Sequence, residues 1–206
     1  MTGVQTCALP ICQQFIGNLI SFQNTHGIGF YFFSSKNDIL CAEVNIKGKE
    51  VKTNAVRILE RNKVPYELLT YECDEFIDGI HSAEATGTPV AQTYKTLVMQ
   101  GKSKKYYVFV IPIAEEVDLK AAARAVSEKS VEMIHVKDLT AITGYVRGGC
   151  SPLGMKKAFP TVIDASARQY SEIYVSGGRI GTSIRLDPQD LARVVRATFA
   201  DILARP

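Results

Sequence analysis

The sequence contains no CxxC pair, no HExxH, and none of the GxxxxGK[ST], GxGxxG or GxSxG signatures. Its five cysteines (Cys7, Cys12, Cys41, Cys73 and Cys150) are odd in number and scattered. That spacing speaks against a disulfide framework and against a zinc site, and it fits a reducing cytoplasm. The three histidines stand apart from one another, so no metal and no cofactor is expected. Long apolar runs are also missing: GIGFYFF, residues 27–33, falls far short of the roughly 20 residues a membrane helix needs. No basic stretch precedes an apolar one near the N-terminus, so no secretory signal is expected. Excess charge is absent too. A formal net charge of +3 permits a nucleic-acid partner but does not argue for one.

What remains is an ordinary globular composition, 46% apolar and 22% charged over 206 residues, enough for one domain with a real core. Residues 1–48 carry few charges and no sustained helical or strand period. Their opening, MTGVQTCALPI, resembles a translated sequencing-adapter fragment. Residues 1–48 are therefore expected to be an artefactual or disordered extension, with the functional domain spanning 49–206.

From Lys49 the patterning becomes regular. VKTNAVRILERNK places Val51, Ala55, Ile58 and Leu59 on one helical face, and Pro65 ends it before the short strand YELLTYE. A short helix is expected near HSAEATG. YKTLVMQ and KYYVFVIP read as strands joined by GKSKK, with hairpin character. DLKAAARAV reads as a helix capped by Asp118, and KDLTAIT as another. PTVIDAS, SEIYVSG and GTSIRLD read as strands. The spacing predicts a final helix capped by Asp187, with Pro188 in its first turn and Leu191, Val194, Val195, Phe199, Ile202 and Leu203 on one face. Hairpin-like pairs among helices indicate a mixed sheet in an α/β or α+β domain, not a doubly wound one.

Four features carry possible chemistry. GYVRGGCSPLGMKK, residues 144–157, puts two glycines, a thiol, a hydroxyl, a proline and two lysines between strands. Main-chain N–H groups around Gly148, Gly149 and Cys150 suit a carbonyl or a developing oxyanion, with Pro152 stiffening the loop; an ordinary glycine turn is an equal reading. Cys150 has no assignable base, so packing is favoured over nucleophilic attack. A triad of Ser151 and His135 with an aspartate lacks a nucleophile elbow, and His135 is expected to be a half-buried strand residue. Lys156 and Lys157 suit phosphates at the rim or plain solvation. Lys95 stands at the start of an apparently buried strand, where an ammonium is costly without a partner or a task. In YVSGGRIG, Ser176 ends a strand and Arg179 is placed to hold an anion, although a hairpin turn explains the spacing as well.

YKTL, GYVRGGCSPLGMKK, PTVIDASA and IYVSGG, in this order and at these separations, resemble the YbaK/EbsC family of aminoacyl-tRNA deacylases, in particular its Cys-tRNA(Pro) deacylase branch. The resemblance runs from about Lys49 to the C-terminus. It implies a compact mixed α/β domain, a mixed sheet or partial barrel like the editing insertion of bacterial prolyl-tRNA synthetases. It also implies a task, trans-editing of cysteine misattached to proline tRNA. A small pocket separates near-isosteres by only a few kcal/mol, so a second hydrolytic sieve is needed.

On that pattern Lys95 matches the essential lysine, and Gly148 to Pro152 match the GxxxP loop whose backbone positions the ester carbonyl. Gly148 is then counted with Lys95 as catalytic, and Gly149, Ser151, Pro152 and Gly177 as substrate-binding. Tyr71 and Ser176 match pocket residues. Lys156, Lys157 and Arg179 are the candidates for tRNA phosphates. The resemblance further implies attack by the substrate's own thiol, no metal or cofactor, and prolyl-tRNA synthetase as a partner supplying tRNA identity. Deacylation of Ala- or Ser-tRNA, and a non-catalytic tRNA- or synthetase-binding role, are the alternatives. This chain departs from the common Gly-Gly-Lys-Arg-Gly at Gly177–Gly181 and has Ser183 where aspartate is frequent. Both departures bear on amino-acid preference.

Overall fold

The computed structural model describes residues 19–24, 27–32, 52–70, 83 and 87–204. The chain divides into two compact units, Met1–Asn45 and Ile46–Pro206. In the first, β1 (Leu19–Asn24) and β2 (Gly27–Phe32) pair as an antiparallel hairpin, from Leu19 opposite Phe32 to Asn24 opposite Gly27. The sequence pattern assigned no element there.

The second unit begins with α1 (Asn54–Arg61), whose buried face is Ala55, Val56 and Leu59. Thr53 caps it, its hydroxyl accepting the Val56 N–H at 3.3 Å. Then come β3 (Glu67–Thr70), β4 (Tyr94–Gly101) and β5 (Tyr106–Pro112). The helix expected near HSAEATG lies outside the described residues except at Ala83, which is helical. Beyond β5 lie α2 (Leu119–Ala125), β6 (Val131–Met133), α3 (Val136–Thr143) and β7 (Thr161–Asp164). The chain closes with β8 (Ile173–Ser176), β9 (Thr182–Leu186), α4 (Pro188–Val195) and β10 (Thr198–Ala200).

Five strands form a mixed sheet in the order β10-β7-β5-β4-β6, and three form an antiparallel sheet in the order β3-β9-β8. The expected hairpin is β4–β5, with Tyr94 opposite Pro112 and Gln100 opposite Tyr106. A parallel bridge between Thr93 and Tyr174 joins the two sheets. Alternation along the strands divides the core by face. Tyr94, Val98, Val108, Val110 and Ile163 face one cluster, completed by α1, α4 and the three-stranded sheet. Met99, Tyr107, Phe109, Ile111 and Val162 face the other, beneath α2.

Two expectations are corrected. The last helix does not run on to Leu203. It stops at Val195, where Arg196 turns left-handed (φ 55°) and Ala197 N–H donates back to Ala192 O at 2.8 Å. The following residues extend, pair in parallel with β7, and satisfy the buried carboxylate of Asp164, which accepts the Ile202 N–H at 3.1 Å. Phe199 then packs on the first cluster and Ile202 enters the second, so their helical spacing is coincidental. His135 is not a half-buried strand residue either. It is exposed, past the end of β6, at the N-cap of α3.

Candidate active site

The glycine loop after α3 starts where Gly144, at φ 87°, ends the helix. Gly148 occupies the left-handed centre of a tight turn (φ 82°), closed by Gly149 N–H donating to Val146 O at 3.1 Å. Gly149 is needed for a different reason. A Cβ built on it would lie 3.1–3.2 Å from the backbone of Arg179 and Ile180. The two glycine loops that the sequence singled out therefore pack backbone against backbone.

Other contacts fix this junction. The Thr53 hydroxyl donates to Gly177 O at 2.7 Å, tying the cap of α1 to the β8–β9 loop. The Tyr145 hydroxyl donates to Leu153 O at 2.6 Å, and its ring edge stands where a side chain on Gly178 would have to go. Burial pushes the Tyr145 phenol up to about 12, so it stays a donor. Ser176 accepts the Gly178 N–H at 3.3 Å. Ser183 stands opposite Ser176 in the β8–β9 pairing.

Inside the loop, Ser151 is fully buried and its hydroxyl accepts the Leu153 N–H at 3.3 Å. Pro152 is buried beside it. The main-chain N–H groups of Gly148, Cys150 and Ser151 make no hydrogen bond among the described residues, whereas Gly149 N–H is used in the turn. Gly148 is exposed, whereas Cys150 and Ser151 are buried; buried amides are nearly always paired, so the open donors of Cys150 and Ser151 mark a place for an external acceptor. The Cys150 thiol is buried in the first core cluster. Burial pushes it up to about 12, with the Thr143 hydroxyl opposing only in part, so it is a thiol and not a thiolate at neutral pH.

Lys95 is half-buried near the start of β4, its ammonium donating to Ile113 O at 3.1 Å. Burial draws its pKa below the ordinary lysine value, partly opposed by Glu116 and then Glu115. By register, Lys95 and Ser176 both lie two residues beyond the Thr93–Tyr174 bridge. Both also point away from the cluster that holds Tyr94 and Val175. Lys95 and Ser176 thus lie side by side at the seam between the sheets, and Gly149 ties the Gly148–Pro152 loop to the β8–β9 loop that follows Ser176.

The remaining candidates are placed differently. Tyr71 lies outside the described residues. Lys156 reaches back to the C-terminal carbonyls of α3, donating to Thr140 O at 3.2 Å and Ala141 O at 3.5 Å. Lys157 and Arg179 are exposed. Sequence reasoning missed Thr53 and Tyr145. A threonine before NAVRIL is a readable cap, but its bond to Gly177, 124 residues away, leaves no local trace.

A mixed α+β domain with two glycine loops and one half-buried lysine at a sheet junction has the build of a small-ester or carbonyl-binding enzyme. The family model of the aminoacyl-tRNA editing domain matches residues 80–194. A protein of Enterococcus faecalis named as a Cys-tRNA(Pro)/Cys-tRNA(Cys) deacylase, EbsC, is 44% identical over 160 residues, which is 77% of this chain and 98% of the relative. A crystal structure described as a trans-editing enzyme for prolyl tRNA synthetase superposes with a TM-score of 0.61 at 24% identity, covering 68% of this chain and 87% of the other. The hypothetical protein APE2540 gives 0.68 at 19%, covering 74% and 100%; both likenesses concern the fold. The chain belongs to the aminoacyl-tRNA editing domain family. Its substrate class is aminoacyl-tRNA and its reaction is deacylation.

Proposed function

We propose that this enzyme removes cysteine from Cys-tRNA(Pro), with the substrate's own thiol as nucleophile. The state of Cys150 carries the reading. The one thiol in the loop is buried and protonated, so the loop offers donors and shape but no thiolate of its own. In the proposed step the cysteinyl sulfur bonds to its own carbonyl carbon and the ester C–O bond breaks. The thiol proton ends on the departing ribose hydroxyl, and water then opens the thiolactone. Gly148 and its neighbours through Pro152 hold the carbonyl by their backbone. Lys95 stabilises the developing charge, and Ser176 and Gly177 line the amino-acid side. The name of the Enterococcus relative supports the choice of cysteine.

Residues 49–206 carry this activity without help from residues 1–48. Identity of the tRNA is supplied through prolyl-tRNA synthetase, a reading that fits a net charge of only +3. Neutral Ser183 opposite Ser176 favours a second reading in which Ala- or Ser-tRNA is also edited. For alanine that would demand an activated water.

The test compares Cys-, Ala- and Ser-tRNA(Pro) as substrates for the full chain, for a chain starting at Lys49, and for Lys95→Ala. Lysine-dependent loss of cysteine alone, equal in both chain lengths, is expected. Turnover that survives Lys95→Ala, or absence of turnover with all three, defeats the proposal. In the second case a tRNA- or synthetase-binding role takes its place.

A further inference from the structure

A broad groove of about 680 Å³ lies at the end of α4, lined by Arg168, Gln189, Arg193, Arg196, Thr198 and Phe199 among others. Its three arginines are exposed. The Arg168 guanidinium, a flat cation that makes no hydrogen bond or ion pair among the described residues, lies 4.4 Å from the centre of the Phe199 ring. Arg193 is paired with Asp190 at 2.5 Å. Arg196 pairs with no acidic side chain among the described residues, and it holds the left-handed cap position where glycine sits with less strain. One carboxylate against three guanidiniums leaves the groove cationic, and the carbonyl end of α4, worth about half a charge, does not reverse that.

The groove is open and encloses nothing, unlike a small-molecule pocket. Guanidinium forks spaced along it match successive phosphates, and a ring face beside them suits a base or ribose. Arg168 belongs to the turn Ala165–Gln169, whose Ser166 hydroxyl bonds the Tyr94 hydroxyl at 2.9 Å, and Tyr94 precedes Lys95. One hydrogen bond and one peptide unit therefore link the turn that bears Arg168 to Lys95. We propose that Arg168, Arg193 and Arg196 hold backbone phosphates of the tRNA whose aminoacyl end lies at Lys95; this rests on the aminoacyl-tRNA reading above.

The test measures binding of uncharged tRNA(Pro) to the full chain by fluorescence anisotropy across a salt series. The wild type is compared with Arg168→Gln/Arg193→Gln/Arg196→Gln and with Lys102→Gln/Lys104→Gln, which alters the hairpin at the far end of β4. The arginine variant is expected to bind about tenfold or more weakly and to lose about two to three units of the log K against log salt slope. The hairpin variant should match wild type, and the Arg→Lys triple variant should recover part of the affinity if the fold is intact. An arginine variant with wild-type affinity and slope, or a wild type that binds no tRNA, overturns the proposal.

Hydrolysis of a cysteinyl-adenosine ester is measured alongside. The arginine variant should retain its rate on that ester, and a lost rate would place the arginines in the editing site instead. If the wild type fails on the ester while tRNA binding still depends on the arginines, the editing reading falls and the groove stands.

Discussion

Gly149→Ala tests whether the contact between the glycine loops matters to both stability and chemistry. Gly149 is not in the left-handed region, so the backbone itself accepts alanine there. The difficulty is space: the new methyl group would lie 3.1 Å from Ile180 N and 3.2 Å from the Arg179 main chain. Backbone cannot rotate away as a flexible side chain does, so the loops must separate by a few tenths of an ångström. Overpacking of this kind costs about 1–3 kcal/mol. For a domain of this size that is a fall in Tm of roughly 2–12 °C. If a misplacement of about 1 Å costs about a hundredfold in rate, a shift of a few tenths costs roughly 3- to 10-fold.

The assay pairs a thermal melt with single-turnover deacylation, and Gly87→Ala serves as the reference. Gly87 has φ 65° with nothing within 4 Å, so alanine there brings backbone strain of about 1–2 kcal/mol and no clash. The reference should lose stability and keep its rate. A Gly149→Ala protein with wild-type Tm and rate refutes the packing argument. One that melts early but reacts normally refutes the link to catalysis.

Cys150→Ala should keep deacylation within about twofold while losing about 1–2 kcal/mol of stability to the small cavity, read from urea melts; a rate loss of a hundredfold would restore Cys150 as nucleophile. Lys95→Met should abolish deacylation yet raise stability at pH 7. Burial lowers the folded pKa of Lys95, so the native state binds fewer protons than the unfolded state and the burial penalty is fully present at neutral pH. That penalty fades as pH rises through the folded pKa toward the ordinary lysine value, so the variant's advantage should shrink in alkaline melts; an advantage that grows with pH contradicts the assignment. Thr53→Ala removes both the cap on α1 and the bond to Gly177, and should cost about 1–2 kcal/mol together with a measurable drop in rate. A drop in stability alone would confine Thr53 to capping.

Much of the fold was legible because local rules agreed with tertiary ones. The caps at Asp118 and Asp187 and the β4–β5 hairpin announce themselves in short windows, and each is used as read. Beyond Val195 the apolar residues keep a helical spacing, but strand pairing with β7 and the carboxylate of Asp164 outweigh it. Neither partner lies within 30 residues of the end of α4, so no window on the helix shows them. The site divides in the same way. Lysine before an apolar strand and paired glycines after strands are visible one at a time. That Gly149 rests on Arg179, or that Thr53 holds Gly177, depends on where separate elements meet. That Cys150 packs rather than attacks follows in the sequence from the want of a partner base. The physical cause is burial, which residue identity does not report.

The pairing of β10 with β7 has a consequence for the chain's synthesis. β7 consists of four buried residues, and the segment that covers its outer edge is made only after α4. Asp118 N–H donates to Ile202 O, and Ala204 N–H to Glu116 O, so the same late segment also stitches down the approach to α2. A nascent chain that stalls at Arg196 would hold α4 but present a bare apolar strand edge and leave Asp164 with the Ser166 N–H but without that of Ile202. Such an intermediate is an invitation to aggregation or to proteolysis. Residues 198–204 therefore act as a seal on β7, and a product ending at Arg196 would be recognisable as unfinished.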